Sequence, residues 1–319
     1  MRVYGLLVAR NEADIIRTNV LYHLSLGLDQ ILIVDNGSSD GTDRVLRELA
    51  EDPRVRWTRD EGLFYHGHIA TELAREAFGE GADWVVPIDA DEFWYAPGGD
   101  LRGVLEQSEA GALRARLLNF FQRREQEEST PDALLHMTRR IHEPVVTERG
   151  NRKLARELVE SHKISKLEIE LKKWISRPTA AMEIFFGNHK VEGVAGLKRE
   201  THEIVCLHAP IRSRARLVGK AEVGERSEEN GSDPNQGWHV KRWRRLRDEG
   251  RLEQEWAANS YAGDSLDVYG VRRKTVFDPM LRDAVAPFVK DDGHRKAGVP
   301  EPRGFPEQRP LWRRITKRA

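Results

Sequence analysis

The sequence is poor in cysteine, in net charge and in long apolar segments. Its one cysteine, Cys206, lies in an apolar run without a disulfide partner in the chain, so we expect a buried thiol. The 52 lysine and arginine residues are balanced by 52 aspartate and glutamate residues, which gives no general polyanion-binding signature. No run approaches the length of a membrane span, and the N-terminus lacks a charged-then-apolar signal pattern. These features predict a cytoplasmic protein with no nucleic-acid partner.

Three short apolar runs rich in β-branched residues predict buried strands at 3–9, 31–35 and 84–89. An apolar-periodic helix between the first two completes a βαβ unit. Sheets built from such units bind ligands beyond the carboxyl ends of their strands. The residues that end or follow the three strands are therefore expected on one rim: Arg10, Asn11 and Glu12, then Asp35 and Asn36, and then Asp89, Ala90 and Asp91.

The Asp89-Ala90-Asp91 segment supplies two hard oxygen ligands of the kind that suits Mg²⁺ or Mn²⁺, with a phosphate completing the shell. Asp91 is the first choice for direct ligand, and Asp89 is expected behind it or on ribose hydroxyls. The pattern alone is weak, because an aspartate that caps a turn or helix produces it often. The two other motifs at strand ends are what support a metal-binding interpretation of this segment.

Segments 9–12, 34–42 and 88–93 together resemble the motifs of family 2 glycosyltransferases, in the family 2-like branch. The resemblance implies a GT-A fold, a Rossmann-like three-layer αβα arrangement around a mostly parallel sheet, with a helical C-terminal part. It implies a hexosyltransferase-like enzyme that takes sugar from a nucleoside-diphosphate donor, UDP-linked, with inversion. The acceptor stays open among a glycan, a lipid, a small molecule and a peptide.

The resemblance also implies roles for individual residues. Asp35 should accept a hydrogen bond from the base, while Ala9, Arg10, Asn11 and Glu12 pack around base and ribose, with Asn36 beside them. Each role has a structural alternative. Asp35 could anchor an Asx-turn, Arg10 could form a surface salt bridge, and Glu12 could be a first-turn helix residue favoured by the helix dipole.

A second cluster begins where an apolar run ends at His208. In related enzymes a histidine late in the core completes the metal shell, and His208 matches that role by position. Arg212 and Lys220, with Arg214 and Arg216, could neutralise the leaving diphosphate. The alternatives are a structural histidine and a solvated basic helix face.

The general base is the weakest part of the assignment. The usual Glu-Asp dipeptide of inverting relatives does not occur in a recognisable context, which leaves Glu183, His189 and Glu203 as candidates, with Glu200 also conceivable. Segment 65–68 contains two histidines. A zinc site is disfavoured there for lack of a third ligand, and His68 is instead a candidate contact to base or sugar.

The predicted organisation is a catalytic domain over 1–228, divided near residue 110 into nucleotide-binding and acceptor halves. A helical extension over 229–289 packs on the core, and 290–319 is a poorly ordered basic tail whose end, 310–318, is a candidate for weak membrane-surface contact. Residues 238–247 are interpreted as a helix packed by its tryptophans. Two other functions stay open: a nucleotidyltransferase acting on a sugar phosphate, and a non-catalytic GT-A-like protein that docks through basic C-terminal helices.

Overall fold

A computed structural model of the chain describes residues 1–62, 66–146, 152–229 and 237–289. Its strands are β1 (Val3–Ala9), β2 (Gln30–Asp35), β3 (Val55–Arg59), β4 (Trp84–Asp89), β5 (Glu92–Tyr95), β6 (Ala112–Asn119), β7 (Gln122–Arg123), β8 (Arg139–Arg140), β9 (Val145–Val146), β10 (Ile169–Ser176), β11 (Glu183–Ile184), β12 (Val191–Glu192), β13 (Lys198–His208), β14 (Ser260–Ala262), β15 (Ser265–Val268), β16 (Val271–Lys274) and β17 (Val276–Phe277). Its α-helices are α1 (Ile16–Ser25), α2 (Thr42–Leu49), α3 (His66–Gly79), α4 (Leu101–Gln107), α5 (Arg152–Glu160), α6 (Arg214–Glu229), α7 (Trp238–Asp248), α8 (Leu252–Asn259) and α9 (Met280–Val289). Short 3-10 turns cover Pro131–His136, Lys166–Glu168 and Phe186–Asn188.

The central sheet has the strand order β3-β2-β1-β4-β10-β6-β13-β5. Strands β1 to β4 are parallel to one another. Because β10 is antiparallel to both β4 and β6, strand β6 and its parallel neighbour β13 run in the same direction as β1. Strands β10 and β5 run the opposite way. The prediction of a mostly parallel α/β sheet is confirmed.

Alternate residues of β1 face opposite sides of this sheet. Val3 and Leu7 belong to the apolar cluster that also contains side chains of α1, α2, α4 and α9. Tyr4 and Leu6 belong to a second cluster with side chains of α3. Every residue of β1 is buried, as expected for a strand with helices on both faces. The sheet is therefore the middle layer of three.

The hairpin of β11 and β12 packs closely on the start of α3. A Cβ atom at Gly67 would lie 2.9 Å from the carbonyl oxygen of Ile184 and 3.0 Å from the amide nitrogen of Phe186. Glycine at this position permits the approach. The Phe186 ring consequently lies 6.0 Å from the ring of His66, edge to face.

The helix expected over 238–247 is α7, and it is followed at once by α8, because Gly250 adopts a φ of 68° that ends α7. The extension expected to be helical also contains strands β14 to β17, three of which form a sheet with β7. Trp243 is buried, as interpreted from the sequence, but Arg242 is buried as well. Its Nη2 lies 3.1 Å from Glu255 Oε2. The basic face of α7 is therefore not wholly solvated.

Several predictions concern residues outside the described ranges. The tail from residue 290, with its proposed membrane contact at 310–318, lies outside them, and so does Tyr65 at the start of the two-histidine segment. Within the described ranges, no helix combines the length and the apolar character needed to cross a bilayer.

Candidate active site

The parallel strands of the sheet bring the predicted site residues to one edge. Ala9 and Asp35 are in register at the ends of β1 and β2, and Asp89 ends β4 next to β1. Asn119 and His208 are in register at the ends of β6 and β13. Because these five strands point the same way, their carboxyl ends form a single rim.

Asp91 lies two residues beyond β4 and is held from two directions. Its Oδ2 accepts a hydrogen bond of 2.9 Å from Lys220 Nζ, and its Oδ1 is 3.5 Å from His208 Nε2. Burial opposes ionisation, but the neighbouring cations, with Lys220 first among them, outweigh it and hold the pKa of Asp91 well below its usual value. Asp91 is therefore a permanently ionised carboxylate at the rim.

The backbone around Asp91 is fixed from beneath by α1. The fully buried Asn19 side chain donates to the carbonyl oxygens of Ala90, at 3.0 Å, and Glu92, at 2.8 Å. The carbonyl oxygen of Asp91 itself accepts a hydrogen bond of 2.8 Å from the amide of Ala209. The Ala90 side chain lies in the apolar core, so it offers a ligand only its backbone.

His208 completes this corner of the rim. Its Nδ1 is 2.7 Å from Asn119 Oδ1, and its Nε2 faces Asp91. Burial lowers the pKa of His208 below its usual value despite the neighbouring carboxylate. The imidazole is therefore neutral at neutral pH.

Asp89 is bound more fully than expected from the sequence. Its Oδ1 is 2.8 Å from His66 Nε2, and its Oδ2 accepts a hydrogen bond of 2.8 Å from Lys173 Nζ. The same ammonium group lies 2.6 Å from Glu92 Oε1. Asp91 has partners of the same two kinds, Lys220 and His208, but its contact to the imidazole is longer, at 3.5 Å. The gap between carboxylate and imidazole is therefore wider at Asp91 than at Asp89.

Burial and the neighbouring charges change the pKa values of both Glu92 and Lys173. Burial and Asp89 raise the pKa of Glu92 well above its usual value, against the effect of Lys173. Burial lowers the pKa of Lys173, but Asp89 and Glu92 outweigh it and raise that pKa above its usual value. Lys173 is therefore a permanent cation beneath the rim.

Arg212 is fully buried and pairs with acidic residues that follow β1. Its Nη2 donates to Glu12 Oε2 at 2.7 Å, and its Nε donates to Asp14 Oδ2 at 2.7 Å. Arg216 donates to the other oxygen of Glu12. These ion pairs connect α6 and the residues just before it to the motif that follows β1. Glu12 and Asp14 already occupy the guanidinium group of Arg212. Its expected contact with a diphosphate stays a prediction.

The first two motifs interlock through short hydrogen bonds. Asn11, whose φ is 54°, accepts a bond from the amide of Ser39 at 2.8 Å, and its own amide donates to Ser38 Oγ at 2.9 Å. Arg10 Nη1 donates to Asn36 Oδ1 at 3.2 Å. The Ala9 side chain is buried in the core, so the nucleotide contact expected of it falls to its backbone.

Asp35 is fully buried, and it anchors the turn after β2, which was the structural alternative to base recognition. Its Oδ1 accepts a bond of 3.1 Å from the amide of Ser38, which is an Asx-type turn, and its Oδ2 accepts one of 3.2 Å from Arg59 Nη1. A base could reach this carboxylate only if the Arg59 contact opened. Its role in base recognition stays a prediction.

The three candidates for the catalytic general base lie on different elements of the fold. Glu203 is exposed and precedes His208 by five residues, which corresponds to about 16 Å along a strand. Glu183 is also exposed, on the β11–β12 hairpin. His189 is half-buried and its Nδ1 is 3.0 Å from the carbonyl oxygen of Lys172; burial and then Lys173 lower its pKa to about 3, so it would be a weak base. The structure brings none of the three to Asp91 by a hydrogen bond between described residues.

The functional candidates that were missed in the sequence include Lys173, Asn119 and His66, of which the first two carried a signal. Lys173 shares the alternating phase of Ile169, Leu171 and Ile175 in β10, so its burial could have been anticipated. Asn119 ends a strand that runs parallel to the others. His66 contacts Asp89, whereas the expected contact, His68, is exposed; no signal in the sequence distinguishes these two histidines.

Comparisons with known proteins agree with this geometry. The model of the glycosyl transferase family 2 matches residues 6–159. A glycosyltransferase family 92 protein of Oryza sativa subsp. japonica is 32% identical over 124 residues, which cover 35% of this chain and 20% of that protein. The match therefore spans only about a fifth of this curated relative's length.

Among solved structures, S. aureus TarS in complex with UDP is 9% identical with a TM-score of 0.36, covering 81% of this chain and 80% of that chain. A mannosyltransferase from Pyrobaculum calidifontis in complex with GDP-Man and Mn²⁺ is 17% identical with a TM-score of 0.35, covering 81% and 73%. Scores this low support no argument of their own. The family match instead includes the rim from β1 to Asp91: residues 6–159, just under half of this chain, are similar to glycosyl transferase family 2.

Proposed function

We propose that this protein transfers a sugar from a nucleoside-diphosphate sugar to an acceptor, with Mn²⁺ or Mg²⁺ held by Asp91 and His208. The similarity of residues 6–159 to glycosyl transferase family 2 supports the reaction class. The observation that carries the proposal is the approach of an ionised Asp91 to a neutral His208 at the rim. We extend the proposal to a UDP-linked donor and to inversion at the anomeric carbon.

Asp91 and His208 fit a divalent cation. Their facing oxygen and nitrogen atoms are 3.5 Å apart, and one ion with bonds of about 2.0–2.2 Å can contact both. A nitrogen ligand favours Mn²⁺ over Mg²⁺. The described ranges contain no group of three or more acidic, histidine or cysteine side chains placed to hold a metal, so phosphate oxygens and water would complete the shell. A cation there would stabilise charge that develops on the leaving diphosphate.

Two lysines extend this site towards the diphosphate. Lys220 already pairs with Asp91. Lys166, in the turn before β10, is half-buried, and its side chain has no hydrogen-bond or ion-pair partner among the residues that the structure describes. Burial and then Lys220 lower its pKa to about 8. Two ammonium groups whose charges act on each other favour an anionic ligand, and we assign both lysines to the diphosphate.

The nucleoside would lie along the first two motifs. Arg10 and Asn36 form its polar border, and Asp35 fixes the turn after β2 while Arg59 covers it. Glu12 holds Arg212 and Arg216 between this border and Asp91. Glu183, His189 and Glu203 stay predictions for the general base, and the acceptor stays undefined.

The test is thermal-shift screening of UDP, GDP and other nucleoside diphosphates, with and without Mn²⁺, on the wild-type protein and on Asp91→Asn. We expect Mn²⁺-dependent stabilisation of the wild type by one nucleotide, and its loss in Asp91→Asn, because the amide keeps the shape but removes the charge. Asp83→Asn is the matched control: it lies just before the other end of β4 and should behave as wild type. Wild-type Mn²⁺-dependent binding and turnover in folded Asp91→Asn would defeat the metal assignment. Absence of any nucleotide effect on the wild type would defeat the proposed function.

A further inference from the structure

The side chain of Asn119 lies between the proposed metal ligand and a neighbouring turn. Its Nδ2 donates to the carbonyl oxygens of Leu167, at 3.1 Å, and Ile169, at 3.0 Å. Its Oδ1 is 2.7 Å from His208 Nδ1. Asn119 is buried, so each of these contacts is shielded from water.

This arrangement determines which way the amide points. The two carbonyl oxygens can only accept hydrogen bonds, so they require the NH₂ group of Asn119 on their side. A flipped amide would set its oxygen against both carbonyls and its NH₂ group against the ring. Asn119 Oδ1 therefore faces His208, and it too can only accept.

The direction of the amide fixes the proton on the imidazole. Because Asn119 Oδ1 accepts, His208 Nδ1 must carry the hydrogen, and in the neutral ring Nε2 is then a bare lone pair. That lone pair is aimed at Asp91 Oδ1, 3.5 Å away. Two acceptors that face each other without a proton between them repel, and a cation between them removes the repulsion.

We propose that Asn119 is a positioning residue that holds His208 in the Nδ1–H tautomer, so that Nε2 is presented to a metal beside Asp91 and Mn²⁺ is preferred over Mg²⁺. The inference rests on the proposed function, because it needs the metal site. It goes further in assigning the metal preference to a residue that touches neither metal nor substrate. Partners that orient a ligating imidazole in this way typically contribute 10–100-fold to metal affinity.

The decisive experiment compares Mn²⁺ and Mg²⁺ binding in the presence of UDP for the wild type, Asn119→Leu, Asn119→Asp and Ser165→Ala. Free Mn²⁺ is measured by electron paramagnetic resonance, and Mg²⁺ by its competition. In Asn119→Leu we expect Mn²⁺ affinity to fall about 10–100-fold and Mg²⁺ affinity to change much less. Asn119→Asp still accepts from Nδ1–H but loses the donor to the two carbonyl oxygens, so we expect the Mn²⁺ preference to persist with a lower midpoint of thermal unfolding.

Ser165→Ala is the matched control for loosening of the turn. Ser165 Oγ accepts from the amide of Leu167 and donates to Asn259 Oδ1, so its loss weakens the same turn and leaves His208 untouched. We expect a lower midpoint of thermal unfolding with an unchanged Mn²⁺/Mg²⁺ ratio. An unchanged ratio in folded Asn119→Leu, or a ratio altered equally in Ser165→Ala, overturns the inference and leaves the metal site standing. A wild type that binds no Mn²⁺ with any nucleotide overturns the metal site itself.

A second measurement does not depend on a variant that folds. Two-bond ¹H–¹⁵N correlation spectra of the metal-free wild-type protein report which ring nitrogen of each histidine carries the proton. His208→Gln assigns the resonance. The Nδ1–H tautomer supports the inference, and an Nε2–H tautomer or a doubly protonated ring at neutral pH overturns it.

Discussion

Replacement of Lys173 by methionine is expected to destabilise the protein strongly, because the carboxyl groups of Asp89 and Glu92 lose the cation between them. Lys173 is 1% exposed and contacts Asp89 at 2.8 Å and Glu92 at 2.6 Å. Removal of one partner from a buried ion pair costs about 3–5 kcal/mol. Asp89 keeps His66 and is partly exposed, and Glu92 can take up a proton, so we expect the lower end, about 3 kcal/mol. At about 2 °C per kcal/mol for a chain of this size, the midpoint of thermal unfolding should fall by about 6 °C.

The loss should depend on pH in a defined direction. Burial and Asp89 already raise the folded-state pKa of Glu92 above its unfolded value, and loss of Lys173 raises it further. The folded state then binds this proton more tightly than the unfolded state does. Its contribution to stability is therefore greatest in acid and falls as the pH rises through the folded-state pKa. We expect Lys173→Met to be less destabilised relative to wild type in mild acid than at neutral pH.

Lys172→Met is the matched control in this experiment, since Lys172 is the preceding residue of β10 and pairs on the surface with Glu200 at 2.7 Å. Its loss should cost no more than about 1 kcal/mol. The double variant Lys173→Met/Glu92→Gln should recover part of the lost stability, which a double-mutant cycle by urea unfolding would measure. Equal losses for Lys172→Met and Lys173→Met, or strict additivity in the cycle, would refute the reasoning.

Two further outcomes concern the nucleotide. Asp35→Ala should weaken nucleoside-diphosphate binding by about 1.5–3 kcal/mol in calorimetric titration, with or without Mn²⁺, because it removes a charged acceptor and releases Arg59; an effect that vanishes when the metal is removed would place Asp35 at the phosphates instead. Lys166, with its pKa of about 8, should bind its proton more tightly once an anion is beside it, so affinity should be full below that pH and fall as the pH rises through it. Lys166→Met should remove that slope, and persistence of the same slope in the variant would show that another group is responsible.

Much of the rim could be predicted because parallel strands end on one edge. The apolar run at 3–9 and the polar residues after it defined β1 at its observed bounds. Asp35, Asp91 and His208 follow or end strands of the same direction, and this alone brings them together. The strand after Asp91, β5, was missed, since four residues carry too little periodicity to be recognised.

Other features depend on tertiary contacts that a single sequence does not encode locally. His66 and His68 both lie in the first turn of α3, and the packing of the β11–β12 hairpin against Gly67 decides which of them meets Asp89. Burial, and then Lys220, which is 54 positions away along the chain, lower the pKa of Lys166. The ion pairs of Arg212 with Glu12 and Asp14 likewise join segments about 200 positions apart.

The place of β10 in the sheet has a consequence for how the chain can be divided. Strand β10 is inserted between β4 and β6, and β13 pairs with both β6 and β5, so the later half of the chain closes the hydrogen-bonding edges left by the earlier half. A fragment that stopped at residue 159, where the family match ends, would expose the open edges of β4 and of β6, which are templates for intermolecular pairing. It would also lack Lys173, His208 and Lys220. The strands that complete the sheet are therefore also the strands that place Lys173 beneath the rim and His208 beside Asp91.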